Sequence, residues 1–151
     1  MIGLNYLGKM GQLGNQMFQY AALKGIAKNR GLEYTVPNHK EVLEDGLGNQ
    51  LRIELYDAFD IYPKNQGLLP TNEYVQEAYF HFDQDLYNEC PDNCSIVGYF
   101  QSEKYFINIR EEIVKDFRVK KEYRDDCKPI LKQFDHPIAL HIRRGDFLIN
   151  S

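Results

Sequence analysis

The sequence has no long apolar run, no surplus of positive charge and only three cysteines in 151 residues. Each absence excludes something. No stretch approaches the roughly 20 apolar residues of a membrane-spanning helix. The opening "MIGLNYLGKMGQLGNQ" has neither a basic start nor an apolar centre, so it does not read as a secretory signal. The cytoplasm is the default location, and disulfides are not expected there. The formal net charge is −4 and the pI about 5.6. A general phosphate-backbone binder is normally basic, so nucleic acid is not an expected partner. Any anionic ligand must be met by a few placed cations. Cys90 and Cys94 stand close in "CPDNC", but no second Cys/His pair completes a zinc site. With Cys127 they read as reduced thiols in loops or half-buried positions. What is present is ordinary for a globular protein: 43% apolar and 26% charged residues, enough for one domain with a real core.

The chain opens as an α/β domain. "IGLNYL" (2–7) alternates apolar and polar residues and reads as a strand. Gly8, Gly11 and Gly14 follow at every third position. "QMFQYAALKGIAKNRG" then reads as a helix, with Gly31 suited to the left-handed position just past its end. Met17, Phe18, Tyr20, Ala21, Ala22 and Leu23 make its first half apolar nearly all round, so burial is expected there. "LEYTV" reads as a second strand, stopped by Pro37. Residues 38–95 suggest loops and short helices of no fixed order. "CSIVGYF" (94–100) reads as a buried strand. Residues 102–119 read as one helix, capped by Ser102, with Phe106, Ile109, Ile113 and Phe117 at helical spacing. "EYRDDCKPILKQF" is a further helical stretch, with Pro129 expected at a first turn. "HPIALHI" (136–142) is a continuous apolar run, the pattern of a strand covered on both faces.

Three motifs carry chemistry. In "HIRRGDF" (141–147), alternation along a strand sends His141 and Arg143 the same way, and Arg144 begins the turn. Ligands of open α/β sheets lie beyond the carboxyl ends of the strands, where these arginines fall. A guanidinium fork matches phosphate oxygens, and two could hold a diphosphate and stabilise it as it departs. Asp146 could orient an arginine or bind a sugar or base hydroxyl. A surface ion-pair knot is an equal reading, and Arg144-Gly145-Asp146 also spells a cell-adhesion signal that would need an extracellular loop. The glycine segment matches neither the dinucleotide nor the P-loop fingerprint. It still places backbone N–H groups near a helix start, with the Asn15 and Gln16 amides beside them; a tight turn with Asn15 as helix cap is the alternative. "GYFQSEKYF" (98–106) could line a cleft with its aromatics or fill the core. His81, between Tyr79, Phe80 and Phe82, is a candidate base by residue type, although a packed histidine is the commoner role.

"LGNQMFQYA", "LYDAFDI" (55–61), "GYFQSEKYF" and "HIRRGDF" in this order closely resemble glycosyltransferase family 11, the α-1,2-fucosyltransferases. The resemblance spans essentially the whole chain. It implies a Rossmann-like domain of a GT-B-type enzyme, in which two such domains face a cleft. It implies an inverting, metal-independent transfer of L-fucose from GDP-fucose to the 2-hydroxyl of a galactose-type acceptor, with no cofactor beyond the donor substrate.

By the same likeness Arg143 and Arg144 would grip the GDP phosphates as the catalytic cations. His141 and Asp146 would support the guanine side or the arginine geometry. Gly14, Asn15 and Gln16 would sit on the acceptor side of the cleft. The base stays unassigned. The family continues well past the arginine motif, so residues 1–135 are expected to form the N-terminal acceptor-side domain and 136–151 to open an incomplete donor-binding domain. A remnant that binds a glycan or nucleotide without turnover is the alternative. Bacterial relatives work on lipid-linked glycans, which adds peripheral attachment at the inner membrane face to the cytoplasmic expectation.

Overall fold

A computed structural model of the chain describes residues 1–46, 48–140 and 142. Two strand–helix–strand units build its centre. The first runs β1 (Ile2–Gly3), α1 (Leu13–Arg30) and β2 (Tyr34–Thr35). An antiparallel hairpin follows, β3 (Leu43–Glu44) and β4 (Gln50–Leu51), then the short α2 (Leu55–Ala58). The second unit runs β5 (Tyr74–Gln76), α3 (Gln84–Glu89) and β6 (Ser95–Val97). Two 3-10 turns (Glu103–Tyr105 and Ile107–Ile109), α4 (Arg110–Asp116) and α5 (Lys121–Leu131) complete the order. The sheet is all parallel, in the order β2-β1-β6-β5. Parallel neighbours need a crossover, and α1 and α3 supply the two. The expected α/β architecture with a parallel sheet is therefore present. No helix among the described residues is long and apolar enough to cross a membrane.

α1 is the organiser. Tyr20, Ala22, Leu23, Ile26 and Ala27 lie in the main core with Ile2, Leu4, Ile96 and Phe100. Its end is a Schellman motif: Leu32 N–H donates to the Ala27 carbonyl at 2.9 Å, and Gly31 N–H to that of Lys28 at 3.3 Å. Gly31 has φ +66°, the left-handed conformation its position in the sequence suggests. Lys28 and Arg30 in the last turn complement the negative end of the helix. Between α1 and α4, the Tyr20 hydroxyl (3.1 Å) and the Lys24 ammonium (2.6 Å) both donate to Asp116.

Several sequence expectations change. β1 stops at Gly3, because Leu7 N–H turns back to the Leu4 carbonyl at 3.0 Å and Lys9 N–H to that of Tyr6 at 2.9 Å. Leu4 and Leu7 stay buried while Tyr6 is 43% exposed, so the apolar alternation does not continue past Leu4. α1 begins at Leu13, earlier than expected, and Phe18 faces outward with Met17 only half-buried. The stretch 38–95 contains a hairpin and a central-sheet strand as well as short helices. The strand expected over 94–100 covers only Ser95–Val97.

Residues 102–119 are not one helix: the path breaks at Phe106 (φ −137°) and Ile109 (φ −129°). Their apolar stripe nevertheless packs as spaced, with Ile109, Ile113, Phe106 and Phe117 against Ala21. Ser102 does cap, its hydroxyl accepting from Lys104 N–H at 3.4 Å. Pro129 lies in the last turn of α5, not the first, and α5 buries no residue. Residues 136–140 form no strand, and Ile138 (94%) and Leu140 (83%) are exposed. A buried strand needs partners on its edges and faces, and among the described residues none covers this segment.

The break in 102–119 has a steric cause. A Cβ built on Gly25 would lie 1.9 Å from the Tyr105 carbonyl oxygen, so the first 3-10 turn rests directly on the backbone of α1. The Asn108 side-chain amide adds a hydrogen bond, donating to the Gly25 carbonyl at 3.2 Å. Backbone cannot step aside as a flexible side chain can. Gly25→Ala is expected to cost about 3 kcal/mol through overpacking, measured by urea unfolding. Gly31→Ala, at the open left-handed position, should cost only about 1–2 kcal/mol.

Candidate functional site

β1 and β6 are neighbours at the centre of the sheet. Crevices beyond the carboxyl ends of such strands are where open α/β sheets bind ligands. The chain leaving β1 (residues 5–12) and the chain leaving β6 (98–102) flank a cleft of about 650 Å³ there. Its floor is Lys9–Gln12 with Gly14, Asn15 and Phe18 of α1. One wall is Tyr99 and Gln101, and the other is Asp45, Asn49 and Leu51 of the β3–β4 hairpin.

Two buried glutamines fix the floor. The Gln16 amide donates to the carbonyls of Gly11 (3.2 Å) and Arg52 (2.7 Å) and accepts from Glu54 N–H at 2.8 Å. Gln19 donates to the carbonyls of Met10 (3.3 Å) and Gly98 (3.0 Å). The start of α1 has no side-chain cap from its own N-cap residue, Gln12. Glu54, at the foot of α2, supplies one instead by accepting Leu13 N–H at 2.5 Å. A carboxylate there also suits the positive end of the helix. Gly11 has φ +71°, and a Cβ on it would meet the Asn15 amide nitrogen at 2.3 Å. The floor therefore folds tightly over the first turn of α1.

The β6 wall is held by Glu77. One oxygen of its carboxylate accepts Tyr99 N–H (3.2 Å) and Phe100 N–H (2.8 Å), and the other accepts the Tyr105 hydroxyl (2.9 Å). These bonds stabilise Phe100 at φ +51°, an uncommon conformation for a bulky residue. Burial, chiefly, pushes the Tyr105 phenol well above its ordinary pKa, so it stays a proton donor to Glu77 at neutral pH. Its oxygen also accepts Asp83 N–H at 2.8 Å. The motif "GYFQSEKYF" thus divides: Phe100 and Tyr105 fill the core, while Tyr99 and Gln101 face the cleft. Gln101 donates to Asn15 across the floor at 2.9 Å. On the hairpin wall the Asp45 carboxylate accepts from the Asn49 backbone (2.9 Å) and side-chain amide (3.0 Å). Amides, a hydroxyl, one carboxylate, the Lys9 ammonium and two aromatic rings suit a ligand rich in hydroxyl groups.

Of the residues singled out from sequence, Gly14 and Asn15 line the cleft. Gln16 lies behind its floor, with both amide hydrogens and its oxygen engaged by backbone. Asn15 is not the helix cap; it stands inside the first turn. His141, Arg143, Arg144 and Asp146 lie outside the described residues. His81 does not line the cleft and is exposed, its ring against that of Tyr79 at 4.8 Å. Tyr79 and Phe80 are exposed too, at 59% and 85%, not in the core. Cys90 and Cys94 are free, more deeply buried than a loop suggests, with sulfurs 3.8 Å apart. Gln19, Glu54 and Glu77 escaped notice in the sequence. Two glutamines three apart in an otherwise apolar helix face were the available signal for the first.

The fold is that of a parallel α/β domain with its crevice at the carboxyl ends of the central strands. The profile described as "Glycosyl transferase family 11" matches residues 1–151, and the chain belongs to that family. It is 26% identical to galactoside alpha-(1,2)-fucosyltransferase 2 of Oryctolagus cuniculus, over 97% of this chain and 41% of the rabbit protein. It is 25% identical to galactoside 2-alpha-L-fucosyltransferase SEC1 of Bos taurus, over 97% of this chain and 39% of that protein. The chain spans about two fifths of the length of the curated relatives it matches. No solved structure gives a significant match.

Glu77 carries three hydrogen bonds that no neighbour can replace. Glu77→Ala is expected to cost about 2–3 kcal/mol, by unpairing two backbone donors and a buried phenol. Chemical denaturation checks the loss, and near-ultraviolet dichroism should show the Tyr99–Tyr105 segment disturbed.

Proposed function

We propose that the chain forms the acceptor-side domain of a fucosyltransferase that moves L-fucose from GDP-fucose to the 2-hydroxyl of a galactose-type acceptor. The observation that carries this reading is the cleft itself. In a member of family 11, the two motifs "LGNQ" and "GYFQS" meet there through the Asn15–Gln101 bond. The relatives' names specify galactosides and α-(1,2) fucosyl transfer, and this chain takes both by inference. The wider enzyme is of the GT-B type, with residues 1–135 as one Rossmann-like domain and residues from 136 on opening the donor side. Its location is cytoplasmic, at or near the inner face of the membrane.

The chemistry is a single inverting displacement. The acceptor 2-hydroxyl oxygen attacks C1 of fucose as its proton passes to a base. The bond from C1 to the β-phosphate oxygen breaks, and that oxygen keeps the electron pair. Arg143 and Arg144 hold the diphosphate and neutralise the charge that grows on it, the role a divalent cation has in other nucleotide-sugar enzymes. His141 and Asp146 set the arginine geometry or meet the guanosine. On the acceptor side, Asn15 and Gln101 present amides to hydroxyl groups, and Tyr99 and Phe18 present rings to a sugar face. Binding both substrates in one geometry removes the entropic barrier of their encounter.

Incubation of the full-length protein with GDP-fucose and lactose is expected to yield a 2-linked fucosyl product without added metal. Binding of lactose with no transfer would instead favour the non-catalytic remnant. Arg143→Ala should abolish GDP binding in a calorimetric titration while the circular dichroism spectrum stays unchanged; undiminished affinity would remove Arg143 from the donor site. Asn15→Ala and Gln101→Ala should each weaken lactose binding about tenfold, in keeping with the loss of hydrogen bonds to a ligand.

A further inference from the structure

Gln19 is 2% exposed, in the heart of an apolar helix face, yet it is no packing residue. Its two amide hydrogens go to the carbonyls of Met10, in the floor of the cleft, and of Gly98, just before Tyr99 of the β6 wall. These acceptors fix the orientation of the amide, since a flipped group would set its oxygen against two carbonyls. Its oxygen is then left buried with no partner among the described residues. An unpaired buried acceptor works against folding. A leucine or methionine would fill the space and remove that orphaned oxygen but would take the Gln19 donor from the Met10 and Gly98 carbonyls, so the two donated bonds are what the position retains.

The bonds act on the shape of the cleft. Gln19 and Gln16 turn the successive carbonyls of Met10 and Gly11 inward. In a trans peptide the N–H points opposite to the C=O, so the N–H groups of Gly11 and Gln12 turn toward the cleft side. The bond to Gly98 fixes the start of the segment that carries Tyr99 and Gln101. One side chain thus sets the spacing between the floor and the β6 wall.

We infer that Gln19 is a positioning residue for the acceptor: it touches no substrate, but holds Asn15's floor and the Tyr99–Gln101 wall at the separation that admits a galactoside. This rests on the reading of the cleft as an acceptor site. Gln19→Met keeps the length and removes both donors. Expected in the full-length protein are a rise of about tenfold in the KM for lactose and an equal loss of lactose affinity measured without donor, with the KM for GDP-fucose within twofold. Gln19→Asn keeps the amide but draws it back by one methylene, and should fall between the two; it carries the test if Gln19→Met does not fold. Tyr20→Phe, which breaks the bond to Asp116 on another face of α1, controls for stability alone and should leave both KM values unchanged. Lactose affinity within twofold of wild type in folded Gln19→Met, a parallel rise in both KM values, or the same effect from Tyr20→Phe would overturn the inference. A wild type that binds lactose but transfers no fucose would overturn the catalytic reading alone, and the affinities would still decide the role of Gln19.

Discussion

The cleft depends on hydrogen bonds made by one helix to backbone that is not its own. α1 is buried chiefly by apolar contact, but the two glutamines on it convert that burial into a defined surface. Through them, a rigid element of 18 residues fixes the loop after β1, the exit of β6 and the foot of α2. Loops positioned by a scaffold in this way can carry function without being rigid by composition. Without the two amides the same chain would still collapse around Leu23 and Ile26, but the floor and its walls would have no fixed register.

The carboxylates form a second layer of the same design. Glu54 completes the start of α1 from a distance of 41 residues, and Glu77 completes the exit of β6 from 22 and 23 residues away. Both serve backbone N–H groups that local chain geometry leaves without partners, which is the requirement every buried peptide group imposes. The acids therefore stabilise the irregular backbone that a cleft needs, and the sheet supplies only the frame.

How much of this could be read in the sequence follows from how local each cause is. The end of α1 was legible because Gly31 and the basic last turn act within a few residues. Its beginning was not, since the capping group lies on another element. The interruption of 102–119 was invisible because the apolar spacing of Phe106, Ile109 and Ile113 is helical in sequence, whereas the close contact of Tyr105 and Phe106 with Gly25 involves a distant helix. The run 136–142 has the composition of a strand covered on both faces, but composition does not supply a covering layer, and Ile138 and Leu140 stand exposed. At the cleft, the glycine segment points to Gly14 and Asn15, which line it, and to Gln16, which lies behind its floor. The amide chemistry was recognised, but the direction it faces is set by Arg52 and Glu54, which no local pattern links to it.

The two walls differ in what they are built on. The β6 wall continues into Phe100 and Tyr105, and from there to the glycine contact with α1, so changes in it propagate to the core. The β3–β4 wall is a hairpin turn across which Asp45 accepts from Asn49, and the chain after it is tied to α1 by the Gln16–Arg52 bond. Random drift can therefore exchange residues on the hairpin at small thermodynamic penalty, while the opposite side stays frozen. Divergence in ligand preference among descendants of this architecture should accumulate on the hairpin first.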